Sequence, residues 1–86
     1  MPGKNARNQG VPGPAVRRLS LYLRRLEQLA EQGIRKVSSR QLADSLYLTA
    51  AQVRKDLAYF GQFSQPGVGY RVGPLIERLR GILGTD

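Results

Sequence analysis

The chain has 86 residues, which is enough for one small domain with a single core. Its 14 Lys and Arg residues outnumber 6 Asp and Glu, and the resulting formal charge of +8 favours a polyanionic partner such as nucleic acid or an acidic membrane surface. The sequence has no Cys and no His, so we expect neither a disulfide, nor a metal site, nor an enzyme built on the commonest general base.

Residues 1–13 differ in composition from the rest of the chain. They are rich in Gly, Pro and Asn, and Val11 is their only large aliphatic residue after the initiator, so they cannot offset the entropy of ordering. We therefore predict a flexible arm over residues 1–13 and a folded domain over residues 14–86. The arm lacks the apolar stretch of an export signal, and no later run approaches a membrane span, which favours a soluble cytoplasmic protein.

A first helix is predicted from Pro14 to about Gln32, because proline suits the first helical position and Gly33 suits a left-handed cap. Its apolar residues recur at helical spacing and predict one buried face, made of Val16, Leu19, Tyr22, Leu23, Leu26, Leu29 and Ala30. Leu21 lies outside that face and hints at a packing partner. Arg18 at its edge and Arg24 opposite it are expected to contact the phosphates of a nucleic acid.

Two short helices are predicted next, after a short half-buried strand over residues 34–37. Each begins with a capping-box pattern, S-x-x-Q at residues 38–41 and T-x-x-Q at residues 49–52, and a turn of about three residues separates them. A helix N-terminus attracts anions. The expected phosphate contacts there are Ser38, Ser39 and Arg40.

The third helix has two unlike faces. Val53, Leu57 and Phe60 recur at the spacing of a buried stripe, whereas amide, cationic and hydroxyl side chains lie on the opposite side. The major groove of DNA accepts one helix, and its base edges match such side chains. The predicted major-groove contacts are Ala51, Gln52, Lys55 and Tyr59. Arg54 lies at the border of the buried stripe and is expected to reach a phosphate.

Residues 62–72 predict a β-hairpin, in which Pro66 and Gly67 suit the central positions of a type II turn. Such a glycine-rich wing could enter the minor groove without steric clash. The predicted wing residues are Gln65, Pro66, Gly67, Val68, Gly69 and Tyr70. A last helix from Pro74 to Leu83, stopped by Gly84, completes a mainly α fold with a small β-hairpin, a winged helix-turn-helix.

Three sequence segments resemble one known family. They are R-L-S-L-Y-L-R at residues 18–24, V-R-K-D-L-A-Y-F-G at residues 53–61 and G-V-G-Y at residues 67–70. Together they resemble the N-terminal DNA-binding domain of the Rex family of bacterial redox-sensing repressors. The resemblance implies a winged helix that binds a palindromic operator in double-stranded DNA.

In that family a C-terminal Rossmann domain binds NAD(H) and forms the homodimer, and a high NADH/NAD⁺ ratio releases the repressor from DNA. The resemblance therefore implies that residues 1–86 hold no cofactor site and form a monomeric DNA-binding fragment. The chain departs from the family at Tyr47, where glycine is usual, so we expect the end of the second helix to turn differently. It also lacks a basic residue at the wing tip, residues 64–66, which predicts weaker contact or another operator preference.

Other interpretations fit parts of the sequence. A basic winged-helix module that binds structured RNA or the ribosome would explain the charge. A protein-interaction module would use Leu21, and a membrane-surface helix would use the apolar face of the first helix. An enzyme is the least favoured class, because the carboxylates Glu27 and Glu31 lie beside arginines and no nucleophile is paired with a base.

Overall fold

The computed structural model describes residues 13–59 and 69–84. Within these ranges, four helices and two strands follow one another as α1 (Gly13–Glu31), β1 (Lys36–Val37), α2 (Ser39–Ser45), α3 (Ala50–Ala58), β2 (Tyr70–Arg71) and α4 (Val72–Leu83). This mainly helical order with a small antiparallel sheet confirms the predicted fold class. Residues 1–12 of the predicted arm lie outside the described ranges, and Gly13 already belongs to α1.

Helix α1 is amphipathic, as its spacing predicts. Its buried side chains are Ala15, Leu19, Tyr22, Leu23, Leu26 and Leu29. Two residues assigned to this face are not fully buried: Val16 is half-buried and Ala30 is exposed. Val16 lies at the edge of the apolar arc and Ala30 in the last turn of α1, whereas Ala15 lies one turn before Leu19 and is covered. Leu21 points outward as predicted and is 44% exposed.

The cap at the end of α1 also forms as predicted. Gly33 has a φ of 81°, and its amide donates to the carbonyl of Ala30. The amide of Ile34 donates to the carbonyl of Leu29 at 3.0 Å, which completes a Schellman motif. This bond draws Ile34 into the helix cap, so the strand predicted to start there begins only at Lys36.

The start of α2 carries the full capping box that the sequence predicts. The Gln41 amide donates to Ser38 Oγ at 3.0 Å, and the Ser38 amide donates to Gln41 Oε1 at 2.8 Å. At the start of α3 only half of the second box forms. The Gln52 amide donates to Thr49 Oγ1 at 3.1 Å, whereas the Gln52 side chain binds elsewhere, to Asp56.

The turn between α2 and α3 is expected to differ from the turn that a glycine makes, because Tyr47 stands where glycine is usual. The structure contradicts this expectation. Tyr47 has a φ of 60°, the left-handed conformation that glycine adopts most readily. The Leu48 amide donates to the carbonyl of Ala43, and the Tyr47 amide donates to that of Asp44, which is again a Schellman motif. The turn is therefore the one that a glycine would make, with a tyrosine in its place.

The two strands pair antiparallel, with Lys36 opposite Arg71 and Val37 opposite Tyr70. Gly69 lies against β1 so closely that a Cβ there would stand 2.7 Å from the Val37 carbonyl oxygen. The rest of the predicted hairpin, residues 62–68, lies outside the described ranges. The described strand of the wing therefore joins the body of the domain through β1.

Helix α4 begins two residues before the predicted start. Val72, assigned to the hairpin, is its first residue, and Pro74 lies in its first turn. A proline is tolerated there because the first-turn amides have no partner inside a helix. Gly84 stops the helix as predicted, with a φ of 72°.

One core holds the described residues together. It is formed mainly between α1 and α4, with α2 and α3 packed on α1, and it includes Tyr22, Leu42, Val53, Tyr70 and Leu79. An ion pair of 2.9 Å between Arg80 Nη2 and Glu27 Oε2 also joins α4 to α1. None of the described helices combines the length and apolar character needed to cross a membrane.

Candidate nucleic-acid interface

Helix α3 presents the two faces that the sequence predicts. Val53, Asp56 and Leu57 are buried against the core. On the other side, three of the four predicted major-groove contacts are exposed: Ala51, Lys55 and Tyr59, the last at 59%. A rigid helix with such a surface can approach a groove without moving its core.

Two predicted phosphate contacts lie together at the junction of α2 and α3. Arg54 Nη1 donates to Ser39 Oγ at 3.1 Å, and both groups are near solvent. This bond fixes the guanidinium of Arg54 beside the start of α2. A guanidinium held in this way can still offer its remaining N–H groups to a phosphate. The hydroxyl of the neighbouring Ser38 serves as the helix cap.

Asp56 is the one charged side chain that is buried within the described residues, at 4% exposure. Its carboxylate accepts hydrogen bonds from Arg18 Nε at 2.6 Å and Arg18 Nη2 at 3.0 Å. It also accepts from the hydroxyl of Tyr22 and from Gln52 Nε2 at 2.9 Å. We call these four residues the Asp56 cluster; it joins α3 to α1 across 34 to 38 residues of sequence.

The cluster holds Asp56 in its charged form. Burial pushes the pKa of the Asp56 carboxyl upward, but the hydrogen bonds from Arg18, Tyr22 and Gln52 and the charge of Arg18 together lower it below its ordinary value. Burial and the bond to Asp56 raise the pKa of the Tyr22 hydroxyl. The hydrogen bond to Asp56 likewise raises the pKa of the Arg18 guanidinium. The hydroxyl of Tyr22 therefore remains a donor to an ionised carboxylate at neutral pH.

The structure gives Arg18 a different partner from the predicted one. Two of its N–H groups bind Asp56, and its side chain is only 26% exposed. A fork bound to a carboxylate cannot also bind a phosphate in the same bidentate way, so the phosphate contact predicted for Arg18 stays a prediction that depends on its remaining N–H groups. The arginine connects α1 to α3.

Sequence reasoning missed Tyr22 and Asp56 as parts of the site, although each left a signal. Tyr22 lies on the apolar face of α1, where its hydroxyl needs a partner. Asp56 lies beside Leu57 on the buried side of α3, where a carboxylate requires a cation. Neither signal names the partner, because the two residues belong to different helices.

The remaining predicted contacts are spread over the surface. Arg24 and Arg40 are exposed. Tyr70, predicted in the wing, is buried at the core side of β2, because its position opposite Val37 turns its ring inward. The wing residues Gln65, Pro66, Gly67 and Val68 lie outside the described ranges. Over residues 13–59 and 69–84, no group of three acidic side chains is placed to hold a metal ion.

A model of the family described as "Putative DNA-binding protein N-terminus" matches residues 10–58, which are more than half of the chain. The chain belongs to this family. The matched residues contain all of α1, β1, α2 and α3, and so they include the whole Asp56 cluster.

Relatives of this family member carry a more specific name. The chain is 46% identical over 78 residues to the redox-sensing transcriptional repressor Rex of Roseiflexus sp. (strain RS-1), covering 91% of this chain and 36% of the relative. It is 53% identical over 76 residues to Rex of Thermus thermophilus, and this match covers 88% of this chain and 36% of the relative. The chain thus spans little more than a third of the length of these curated relatives. These matches confirm the predicted resemblance to the N-terminal domain of Rex.

Solved structures agree with the family assignment. The crystal structure of RSP in complex with β-NAD⁺ and operator DNA matches 88% of this chain and 35% of its own, with 43% identity and a TM-score of 0.84. The crystal structure of RSP, described as a Rex-family repressor, matches 87% of this chain and 34% of its own, with 41% identity and a TM-score of 0.78. The fold of this family member is therefore the winged helix of Rex DNA-binding domains.

Proposed function

We propose that this chain is the operator-binding domain of a redox-sensing transcriptional repressor. The observation that carries the proposal is the exposed face of α3, which presents Lys55 and Tyr59 on a helix fixed to the core from behind. A similar structure was solved with operator DNA. In the proposed complex α3 enters the major groove and the wing lies at the minor groove.

Phosphate contacts would orient the domain on the duplex. Arg54, already fixed by Ser39, stands at the edge of the α3 face, and the exposed Arg24 and Arg40 add positive charge. The hydroxyl groups of Ser38 and Ser39 lie at the start of α2, beside Arg54. Such contacts give affinity and register, whereas the α3 face would give sequence preference.

The properties of the whole repressor are part of the proposal. The relatives are named for redox sensing, and RSP was solved with β-NAD⁺ and with β-NADH. We assign NAD(H) binding and dimerisation to the part of a longer protein that corresponds to the rest of these relatives. Residues 1–86 would then act as a monomeric, non-enzymatic DNA-binding domain in the cytoplasm.

Selection from a pool of random duplexes tests the proposal. The chain is mixed with the pool, retained duplexes are sequenced, and the affinity of the recovered sequence is compared with that of a scrambled duplex and a structured RNA of equal length. We expect a recurring half-site that binds more tightly than both. Equal affinity for all three, or a preference for the RNA, would contradict the proposal and favour the RNA-binding module.

A further inference from the structure

The Asp56 cluster fixes the side chain of Gln52, a predicted major-groove contact. We infer that Asp56 is a positioning residue that makes Gln52 a hydrogen-bond acceptor toward DNA, so that Gln52 selects a base with an exposed amino group, adenine or cytosine. This inference rests on the proposed function and specifies which bases one side chain on the exposed face of α3 recognises.

The chemistry of the contact fixes the orientation of the Gln52 amide. A carboxylate only accepts hydrogen bonds, so the atom 2.9 Å from Asp56 Oδ1 must be the amide nitrogen, Nε2. The oxygen and nitrogen of an amide diverge from the trigonal carbon that joins them, so they point in different directions. The contact therefore turns Gln52 Oε1 away from the carboxylate, and Oε1 can accept two hydrogen bonds.

The second hydrogen of Nε2 remains beside the negative charge of Asp56. A base acceptor that approached this hydrogen would also approach Asp56 Oδ1, whose lone pairs repel it at short range even though Arg18 balances the formal charge of the carboxylate. In the major groove, guanine offers only the acceptors N7 and O6, and thymine offers O4 and a methyl group. Adenine offers the donor N6 and cytosine the donor N4. The Gln52 oxygen thus matches adenine or cytosine, and the charge behind it disfavours the acceptor edges.

Asp56 itself is held in place by two residues of α1. Arg18 grips it with Nε and Nη2, and the hydroxyl of Tyr22 donates to Oδ2. The carboxylate is therefore anchored in the core and cannot follow a mobile glutamine. A free glutamine can present either its oxygen or its nitrogen to a base, whereas this glutamine is restricted before DNA arrives.

Base analogues test the inference. The probe is the half-site duplex recovered by selection, in which each adenine in turn is replaced by purine, which lacks the N6 amino group, or by 7-deazaadenine, which lacks N7. Each cytosine is replaced by 2-pyrimidinone, which lacks the N4 amino group. At one position we expect loss of the amino group to weaken binding by about 5- to 100-fold, the range of one good base contact. At that position, if it is an adenine, loss of N7 should change the affinity by less than about twofold.

Two variants assign the effect to these residues. Gln52→Met keeps the length of the side chain but removes both amide groups, so it should abolish the sensitivity to the amino group at that position. Asp56→Asn removes the charge that orients the amide. It should therefore reduce the difference in affinity between the duplex with purine and the duplex with 7-deazaadenine. Asp44→Asn is the matched control, because it removes an exposed carboxylate of α2, and it should keep the wild-type pattern.

The outcomes separate this inference from the proposed function. If the chain prefers its half-site but purine and 7-deazaadenine weaken binding equally, or Gln52→Met keeps the sensitivity, the inference is wrong and the proposed function stands. If Asp56→Asn still prefers the half-site and responds to the base analogues as the wild-type chain does, Asp56 does not position Gln52. If Asp56→Asn does not fold, the comparison of the wild-type chain with Gln52→Met decides. If no half-site is recovered, the proposed function itself fails.

Discussion

Among individual residues, the buried carboxylate of Asp56, with its three hydrogen-bonding partners, is the most important for both stability and the proposed function. Asp56 stabilises the fold only while Arg18, Tyr22 and Gln52 satisfy it, because an ion taken out of water is costly without a partner. The same carboxylate connects the helix that we propose to read DNA with α1, the longest of the described helices. Stability and recognition therefore depend on one group.

Removal of the arginine should destabilise the fold. Arg18→Met keeps much of the aliphatic stem but leaves Asp56 without its cation. Breaking a buried ion pair costs about 3 to 5 kcal/mol. Because Arg18 keeps some solvent contact, we expect a smaller loss of about 2 to 4 kcal/mol in the free energy of unfolding. Urea unfolding measures this loss. The control Arg17→Met, on the exposed side of α1, should change the stability by less than about 0.5 kcal/mol. Equal effects of the two variants would show that the pair contributes nothing.

The lowered pKa of Asp56 predicts a pH dependence of stability. Because the pKa is lower in the folded than in the unfolded chain, the stabilisation is fully present above the ordinary value of 3.8 and is lost as the pH falls through the folded pKa. Thermal unfolding between pH 7 and pH 2 measures it. We expect the stability of Asp56→Asn to fall less steeply on acidification than that of Asp44→Asn. Parallel curves would contradict the ionised cluster.

A substitution of Lys55 tests directly whether the exposed face of α3 contacts DNA. Lys55→Ala should weaken half-site binding by about 1 to 3 kcal/mol if the ammonium group meets a guanine edge, and the preference over a scrambled duplex should fall. Lys36→Ala removes the same charge from β1 and should weaken binding to both duplexes alike. Fluorescence anisotropy at fixed salt gives both affinities. Unchanged affinity of Lys55→Ala would remove Lys55 from the interface.

On the scale of elements, local signals predict the helices well and their partners poorly. The caps at Ser38, Gly33 and Gly84 form as predicted because each depends on atoms a few residues apart. The link from Arg18 to Asp56 spans 38 residues, and no local pattern specifies it. The early start of α4 was missed because Pro74 was assigned to the first helical position, whereas proline is tolerated anywhere in the first turn.

The turn before α3 gives a prediction for an element. Tyr47 is held in a left-handed conformation while its side chain is 97% exposed, so a glycine would relieve strain without loss of burial. Tyr47→Gly should raise the free energy of unfolding by up to about 1.6 kcal/mol. Relief of the left-handed strain stabilises the folded chain by about 1 to 2 kcal/mol, and the greater freedom of the unfolded chain offsets about 0.4 to 1 kcal/mol of this. Tyr47→Ala removes the ring but keeps the Cβ, so thermal unfolding should show no such gain. A less stable Tyr47→Gly would contradict this account.

The charge of the whole molecule predicts how binding depends on salt. The formal charge of +8 and three of the exposed cations, the predicted phosphate contacts Arg24, Arg40 and Arg54, imply a slope of about −3 for log affinity against log salt, at about −0.9 per phosphate contact. Anisotropy titrations between about 50 and 200 mM salt measure it. A slope near zero would contradict phosphate binding and favour a protein-interaction module that uses Leu21.

The sharing of Asp56 between helices also restricts how such a domain can diverge. A change at Asp56 alone leaves an arginine and a phenol without their acceptor, and a change at Arg18 alone leaves a charge without its counterion. Divergent sequences with this architecture should therefore substitute positions 18, 22 and 56 in concert, through covarying pairs or triplets. Because position 52 depends on the same carboxylate, a lineage that replaces the triplet also becomes free to acquire a new target sequence.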